Sequence, residues 1–204
     1  MGGLLMGLFG PSKKEVWQQL SEEIQADYIE GGFWKGDKIQ AHVDNWIVVL
    51  DTYTVSNGKS STTYTRMRAP FINLDGLYFK IYREGLFSGI GKMLGMQDIN
   101  VGYNQFDENF IIKGNDEDRV RRLFSNERIR SLIEVQPRMN LEIKDDEGFF
   151  STRFPEGVDE LYFLVPGVIR DVEQLKELYE LFGEVLKELC EMGSASMREP
   201  GVVL

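Results

Sequence analysis

The stretch Phe106–Val135, FDENFIIKGNDEDRVRRLFSNERIRSLIEV, decides how this chain is read. A short apolar strand, Phe110-Ile111-Ile112, runs into Asn115 and three acids, Asp116, Glu117 and Asp118. These open two consecutive helices that carry five arginines between Arg119 and Arg130. Acids in a first turn and bases further along complement the helix dipole, and Asn115 is the expected cap. Val120, Leu123, Ile129, Leu132 and Ile133 supply the apolar sides. The stretch therefore divides the chain, with strands and one helix before it and strands and one helix after it.

Upstream, Ser12-Lys-Lys-Glu15 after Pro11 is a capping box. Val16, Trp17, Leu20, Ile24 and Tyr28 share a helical face that Gly31-Gly32 ends. Alternation then takes over. Lys38–Val43 places Ile39, Ala41 and Val43 on one side, and Trp46–Thr54 begins apolar on both faces, as a central strand does. Asn57-Gly58 is a hairpin signal that returns Ser61–Ala69 antiparallel to its predecessor, with Pro70 expected to stop pairing. Leu77–Arg83 alternates again. Residues 85–96, GLFSGIGKMLGM, place Leu86, Phe87, Ile90, Met93 and Leu94 at helical spacing, although glycine weakens a helix by about 1 kcal/mol per residue.

Downstream, Met139–Lys144, an acidic turn at Asp145-Asp146-Glu147-Gly148 and Phe149–Phe154 read as a second hairpin. Leu161–Ile169 is a strongly apolar strand whose Pro166 favours an edge or a bulge. Asp171 caps the longest helix, which runs to Met192 with Leu175, Leu178, Phe182, Val185, Leu186 and Leu189 on one face.

The pattern Phe106-x-x-x-Phe110-x-Ile-x-Gly-x-Asp116-x-x-x-Val120-x-x-Leu123, followed by Ile129-x-x-Leu132, resembles one found in uncharacterised bacterial domains of unknown function. In those domains a Phe-rich turn and strand lead into a short helix that carries the chain back across a sheet. Members are often described as membrane-associated. The resemblance implies a structural module without an assigned activity, and it carries no catalytic residue over.

The 204 residues suit one domain able to bury a sizeable core, and the 42% apolar and 27% charged composition is that of a globular protein. The formal charge of −10 is uneven: residues 1–105 hold ten Lys/Arg against eleven Asp/Glu, and residues 106–204 hold thirteen against twenty-two. Such acidity disfavours duplex nucleic acid as the main partner. One cysteine, Cys190, excludes an intrachain disulfide and a thiolate metal cluster, and it fits a reducing, cytoplasmic compartment. No apolar run approaches the ~20 residues of a membrane-spanning helix.

Little of this chemistry points to catalysis. Near residues 85–95 both the Walker spacing and the dinucleotide glycine spacing fail. His42 alternates away from Ile39, Ala41 and Val43 and has no nearby nucleophile. Cys190 reads as a packing residue, and the Asp145–Glu147 run lacks the alternating oxygen ligands of a calcium loop. No metal site and no cofactor are expected.

Two surfaces remain. Tyr64, Arg66 and Arg68 alternate on one side of their strand, and Tyr78, Lys80 and Tyr82 lie opposite the apolar face of theirs. Residues 59–92 hold six Lys/Arg against two Asp/Glu, so basic groups are interleaved with aromatics inside an acidic protein. The second surface is Leu86, Phe87, Ile90, Lys92 and Met93, which resemble a short interfacial peptide. An ordinary solvated sheet face and a buried connecting helix are the favoured readings of the two.

The expected fold is therefore α+β, a largely antiparallel sheet of seven or eight strands with an N-terminal helix, a central helical segment and a long C-terminal helix. A pleckstrin-homology-like barrel is the alternative. Residues 1–11 are expected to form a flexible apolar N-terminus, residues 12–192 one domain, and residues 193–204 a flexible tail. The expected function is a non-enzymatic binding module, cytoplasmic or peripheral to the inner face of the membrane, that meets a protein partner or an anionic membrane surface. The alternatives are a small-molecule-binding protein or enzyme with a pocket between the sheet and the C-terminal helix, and a structural assembly subunit.

Overall fold

The computed structural model describes residues 10–32, 36–56, 58–83, 96–145 and 154–204. In chain order the elements are α1 (Lys13–Glu23), β1 (Asp27–Ile29), β2 (Lys38–Val43), β3 (Trp46–Ser56), β4 (Ser61–Ile72), β5 (Phe79–Arg83) and β6 (Gln97–Asp98). They continue with α2 (Asn104–Asn109), β7 (Phe110–Gly114), α3 (Glu117–Ser125), α4 (Glu127–Glu134), β8 (Asn140–Lys144), β9 (Val158–Pro166) and α5 (Val172–Glu191).

Nine described strands form one sheet in the order β1-β2-β3-β4-β9-β8-β5-β7-β6, with every neighbouring pair antiparallel. The α+β reading holds. β1 and β6 end the order and do not pair with each other among the described residues, so the sheet is open and the barrel alternative is set aside.

Alternation makes the sheet two-faced. Ile39, Leu50, Met67, Phe163, Leu141, Ile81 and Ile112 are successive register partners from β2 to β7, and all are buried. Helices cover this apolar face. The expected stripe of α5 is wholly buried, and α5 packs against α1, α3, α4 and β2. Truncating any one of its leucines to alanine costs about 2–5 kcal/mol. Gly183 permits the close approach of α5 to β2, because a Cβ there would sit 2.9 Å from Val43 Cγ1.

Several boundaries differ from expectation for identifiable reasons. The capping box at Ser12 and Glu15 forms, but α1 ends at Glu23. Gln25 turns left-handed at φ 55°, and Tyr28 enters β1 to pair with Ile39. Asp116, not Asn115, caps α3 by accepting from Arg119 N. The Asn115 side chain instead accepts from Tyr78 N and donates to Gly76 O, tying the start of β5 to the end of β7.

Pro70 stops one ladder only: pairing with β3 ends at Arg68, while pairing with β9 continues through Pro70 to Ile72. Pro166 does not mark an edge, since β9 lies at the sheet centre and Pro166 is its last residue. β8 pairs with β9 and β5, and apart from Phe154 the strand expected at residues 149–154 lies outside the described residues. The short elements α2 and β6 were not anticipated.

Residues 193–204, expected to be a flexible tail, lie against the body. Leu74 N donates to Ser194 O at 2.8 Å, Ser196 N donates to Ile72 O at 3.0 Å, and Ala195 bridges Asn73. Ser194 and Ala195 are buried. Residues 1–9, with Leu4, Leu5, Leu8 and Phe9, lie outside the described residues.

Gly114 ends β7 where α3 crosses it, and an added Cβ would meet Val120 Cγ2 at 2.7 Å, Ile99 Cδ1 at 3.0 Å and Tyr78 O at 3.2 Å. Gly114→Ala is expected to destabilise the fold by about 1–3 kcal/mol through overpacking, read as a lower midpoint in urea denaturation; an unchanged midpoint would contradict this packing.

Candidate functional site

The basic and aromatic residues singled out in sequence lie on the sheet face opposite the helices. One cross-strand line runs Arg68, Tyr162, Glu142, Lys80, Lys113 and Asp98 from β4 to β6. The neighbouring line runs Asp51, Arg66, Leu164, Asn140 and Tyr82 from β3 to β5. The hairpin places Tyr64 opposite Tyr53, and the two rings stack at 5.4 Å between centroids.

These cations do not form one open basic patch. Lys80 is only 3% exposed, because Glu142 Oε2 takes its ammonium at 2.8 Å, and Asn140 donates to the other oxygen of Glu142 at 2.9 Å. Lys144 sits 3.3 Å from Glu160 and over the Tyr162 ring. Tyr78 donates through its hydroxyl to Asp159 at 3.2 Å. Leu86, Phe87, Ile90, Lys92 and Met93 lie outside the described residues.

Arg66 and Arg68 are arranged differently. Arg66 grips Asp51 with both Nε and Nη2, at 2.8 and 2.7 Å, and lies over the Tyr53 ring. Arg68 Nη2 reaches the same carboxylate at 2.9 Å. They form the floor of a cleft of about 420 Å³, whose walls include Gly31, Gly32, Gly36, Lys38, Thr52 and Leu204. Lys38 and Asp51 are on the same face, since Ile39 pairs with Leu50.

Three cations, Lys38, Arg66 and Arg68, thus meet two acids, Asp51 and Glu30, in the lining, so the cleft is locally positive in a chain of net charge −10. Partial burial strengthens each of these charges relative to water.

The rim adds a further cation. Lys13 donates to Thr52 Oγ1 at 3.2 Å and lies over the Trp17 ring. Burial, opposed by the Asp37 and Asp51 carboxylates, draws its ammonium below the ordinary value of 10.5. Asp37 is held below its ordinary value, first by the Gly31 N–H that it accepts.

Lys38, Asp51 and Thr52 were missed by the sequence reading, and the Asn57-Gly58 signal only brings β3 and β4 together. A two-residue turn there would set Asp51 opposite Tyr64, whereas the ladder starts at Ser56 and Ser61 and sets Asp51 opposite Arg66. The small walls at Gly31, Gly32 and Gly36 come from a loop that offered no such signal.

His42 is exposed on β2, and Cys190 is half-buried at the end of α5, where burial raises its thiol above the ordinary value. The described residues contain no group of three His, Cys, Asp or Glu side chains suited to a metal ion, and no described helix is long and apolar enough to cross a membrane. Between the sheet and α5, where a pocket was the alternative expectation, the facing side chains are buried, and the cleft lies on the opposite face.

No protein-family model matches the chain, and no curated protein matches it. Among solved structures, the chain is similar to the mycobacterial trehalose monomycolate transport factor A, TtfA, at 12% identity and a TM-score of 0.45, over 86% of this chain and 95% of that one.

Two predictions follow from the paired charges. Lys80→Ala leaves Glu142 buried without its cation and is expected to cost about 3–5 kcal/mol, whereas Lys80→Met with Glu142→Leu is expected to be near neutral in the same denaturation assay. Asp159 has its carboxyl raised above the ordinary value of 3.8, chiefly by burial, against the hydrogen bonds from Asn73 and Tyr78. A raised folded pKa contributes stability that is fully present below the unfolded value and is lost as pH rises through the folded one. NMR titration of the Asp159 side chain should therefore give a midpoint above 3.8, and the stability of Asp159→Asn relative to the native chain should rise as pH increases through that midpoint.

Proposed function

We propose that this chain is a non-enzymatic binding module that takes the acidic side chains of a protein partner into the cleft between β1 and β4. The observation that carries this reading is the convergence of Lys38, Arg66 and Arg68 on one cleft in an acidic molecule. Arg is suited to the task because its planar fork meets a carboxylate through two parallel bonds, as Arg66 already does with Asp51.

Depth favours a peptide over a bilayer. The Arg66 and Arg68 side chains are only 18% and 6% exposed. A lipid surface meets cations that project outward into the headgroup layer, whereas a peptide side chain can enter a recess. Tyr64 and Tyr53 form an aromatic shelf beside the cleft. Lys80, Tyr82 and Tyr78 lie further across the same face, where they support the sheet through their own partners.

The test is an amide NMR titration of the full chain with a poly-glutamate peptide and, separately, with phosphatidylserine vesicles. Peptide-induced shifts are expected at Lys38, Thr52, Arg66 and Arg68. They should weaken as added salt shortens the Debye length below about 10 Å, and Arg66→Ala should lower the affinity by about tenfold or more. Vesicle binding without peptide binding would replace this reading with the membrane one, and shifts confined to other residues would remove the cleft from consideration.

A further inference from the structure

We infer that residues 197–204 are an internal occupant of this cleft, and that the partner segment it gives way to is an extended strand with apolar residues at alternate positions and an oxygen acceptor placed at Lys38. The inference rests on the cleft being the binding site, and it adds what the partner looks like and what holds the site closed.

The segment leaves the body at a well-made hinge. Ser194 and Ser196 exchange main-chain hydrogen bonds with Leu74 and Ile72 at the end of β4. Beyond Ser196 the chain crosses the charged face of the sheet. Glu199, Pro200 and Val202 close against Ile47 and Pro70, leaving a gap of only about 10 Å³, which is at the lower limit for one water. Pro70 is two residues from Arg68 on β4, and Ile47 is four from Asp51 on β3, so both lie on the face that carries the cleft. The crossing ends at the cleft itself, where Lys38 Nζ donates to Leu204 O at 2.8 Å.

Burial along this segment has the period of a strand. Pro200, Val202 and Leu204 are half-buried, while Gly201 and Val203 are exposed, Val203 to 83%. Extended peptides are recognised in this manner, with alternate side chains entering the surface and a main-chain or charged oxygen fixing the register. The chain thereby displays the pattern that the face accepts.

The hold is also weak in its outer part. Arg198 N donates to Ser196 Oγ at 3.1 Å beside the hinge, Lys38 Nζ donates to Leu204 O at the far end, and Met197 is 54% exposed. A site open for only part of the time binds an outside segment with its affinity reduced by that fraction. Loosening the segment therefore raises affinity without changing the site.

The test uses the full chain and a fluorescein-labelled peptide of residues 197–204, MREPGVVL, with free and amidated ends compared. Val202→Asp is the loosening variant, with Pro200→Ser as a second should the first fail to fold. The labelled peptide is expected to bind the loosened chain at least about tenfold more tightly than the native one, and Lys38→Glu in the loosened chain is expected to abolish binding. Equal affinity for native and loosened chains would overturn the internal competition, and no binding to either loosened chain would overturn the occupant altogether. Poly-glutamate shifts at Arg66 that persist in a loosened chain which ignores the MREPGVVL peptide would sink this inference alone, whereas loss of poly-glutamate binding from the native chain sinks the cleft reading beneath it.

Discussion

The register of β4 against β9 is the constraint on which the rest of the molecule depends. Thr65 to Ile72 pair residue by residue with Val165 to Val158, and this ladder joins the meander β1 to β4 to the remaining strands. Because side chains alternate, a slip of one residue would turn one strand over relative to the other. Slipping β9 would carry Leu161 and Phe163 to the charged side and drive Glu160 and Tyr162 beneath the helices. The apolar bed for α5 and the line from Arg68 to Lys80 would be lost together, so the core and the candidate site share one determinant.

The charged face reinforces that register. Removing ions from water costs several kcal/mol each, and a buried pair seldom repays more than that cost. Lys80 with Glu142, and Lys144 with Glu160, are thus poor sources of net stability. Their effect lies in the alternatives they penalise: each acid meets its cation across a neighbouring strand, and any other pairing leaves a buried charge uncompensated. Asp51 extends the same logic to β3, where one carboxylate accepts from two arginines of β4. The cleft forms at this edge of the face, with Lys38 beside the two arginines.

What was legible in the sequence were features with a local cause. The stripe of α5, the capping box at Ser12, the hairpin at Asn57-Gly58 and the alternation of β2 to β5 all follow from neighbours in the chain. The arginines of α3 and α4 are absorbed partly as expected: Arg121 pairs with Glu117 and Arg130 donates to Phe124 O and Ser125 O, whereas Arg128 pairs with Glu180 of α5. The failures had non-local causes. Pro166 looks like an edge residue until β4 and β8 are known to flank β9, and Lys80 looks exposed until Glu142 arrives from a strand 62 residues further along. The cleft combines β1, β2, β3, β4 and Leu204, so its pairings, Asp51 with Arg66 included, depend on a register that the turn dipeptide does not fix.

The uneven charge of the chain acquires a geometric meaning once the two faces are separated. Much of the acid excess of the second half lies on α5, whose Glu173, Glu180 and Glu191 are exposed, and α5 covers the apolar face. The cations of the cleft are on the other side of the sheet. An acidic segment approaching from the helical side meets like charge, while one approaching from the cleft side meets Lys38 and the two arginines. Fields of this kind act beyond contact distance and favour one approach over the other before any hydrogen bond is made. The bare net charge of −10 speaks against an anionic ligand, yet that charge is unevenly placed, and the lining of the cleft holds Lys38, Arg66 and Arg68 against Asp51 and Glu30.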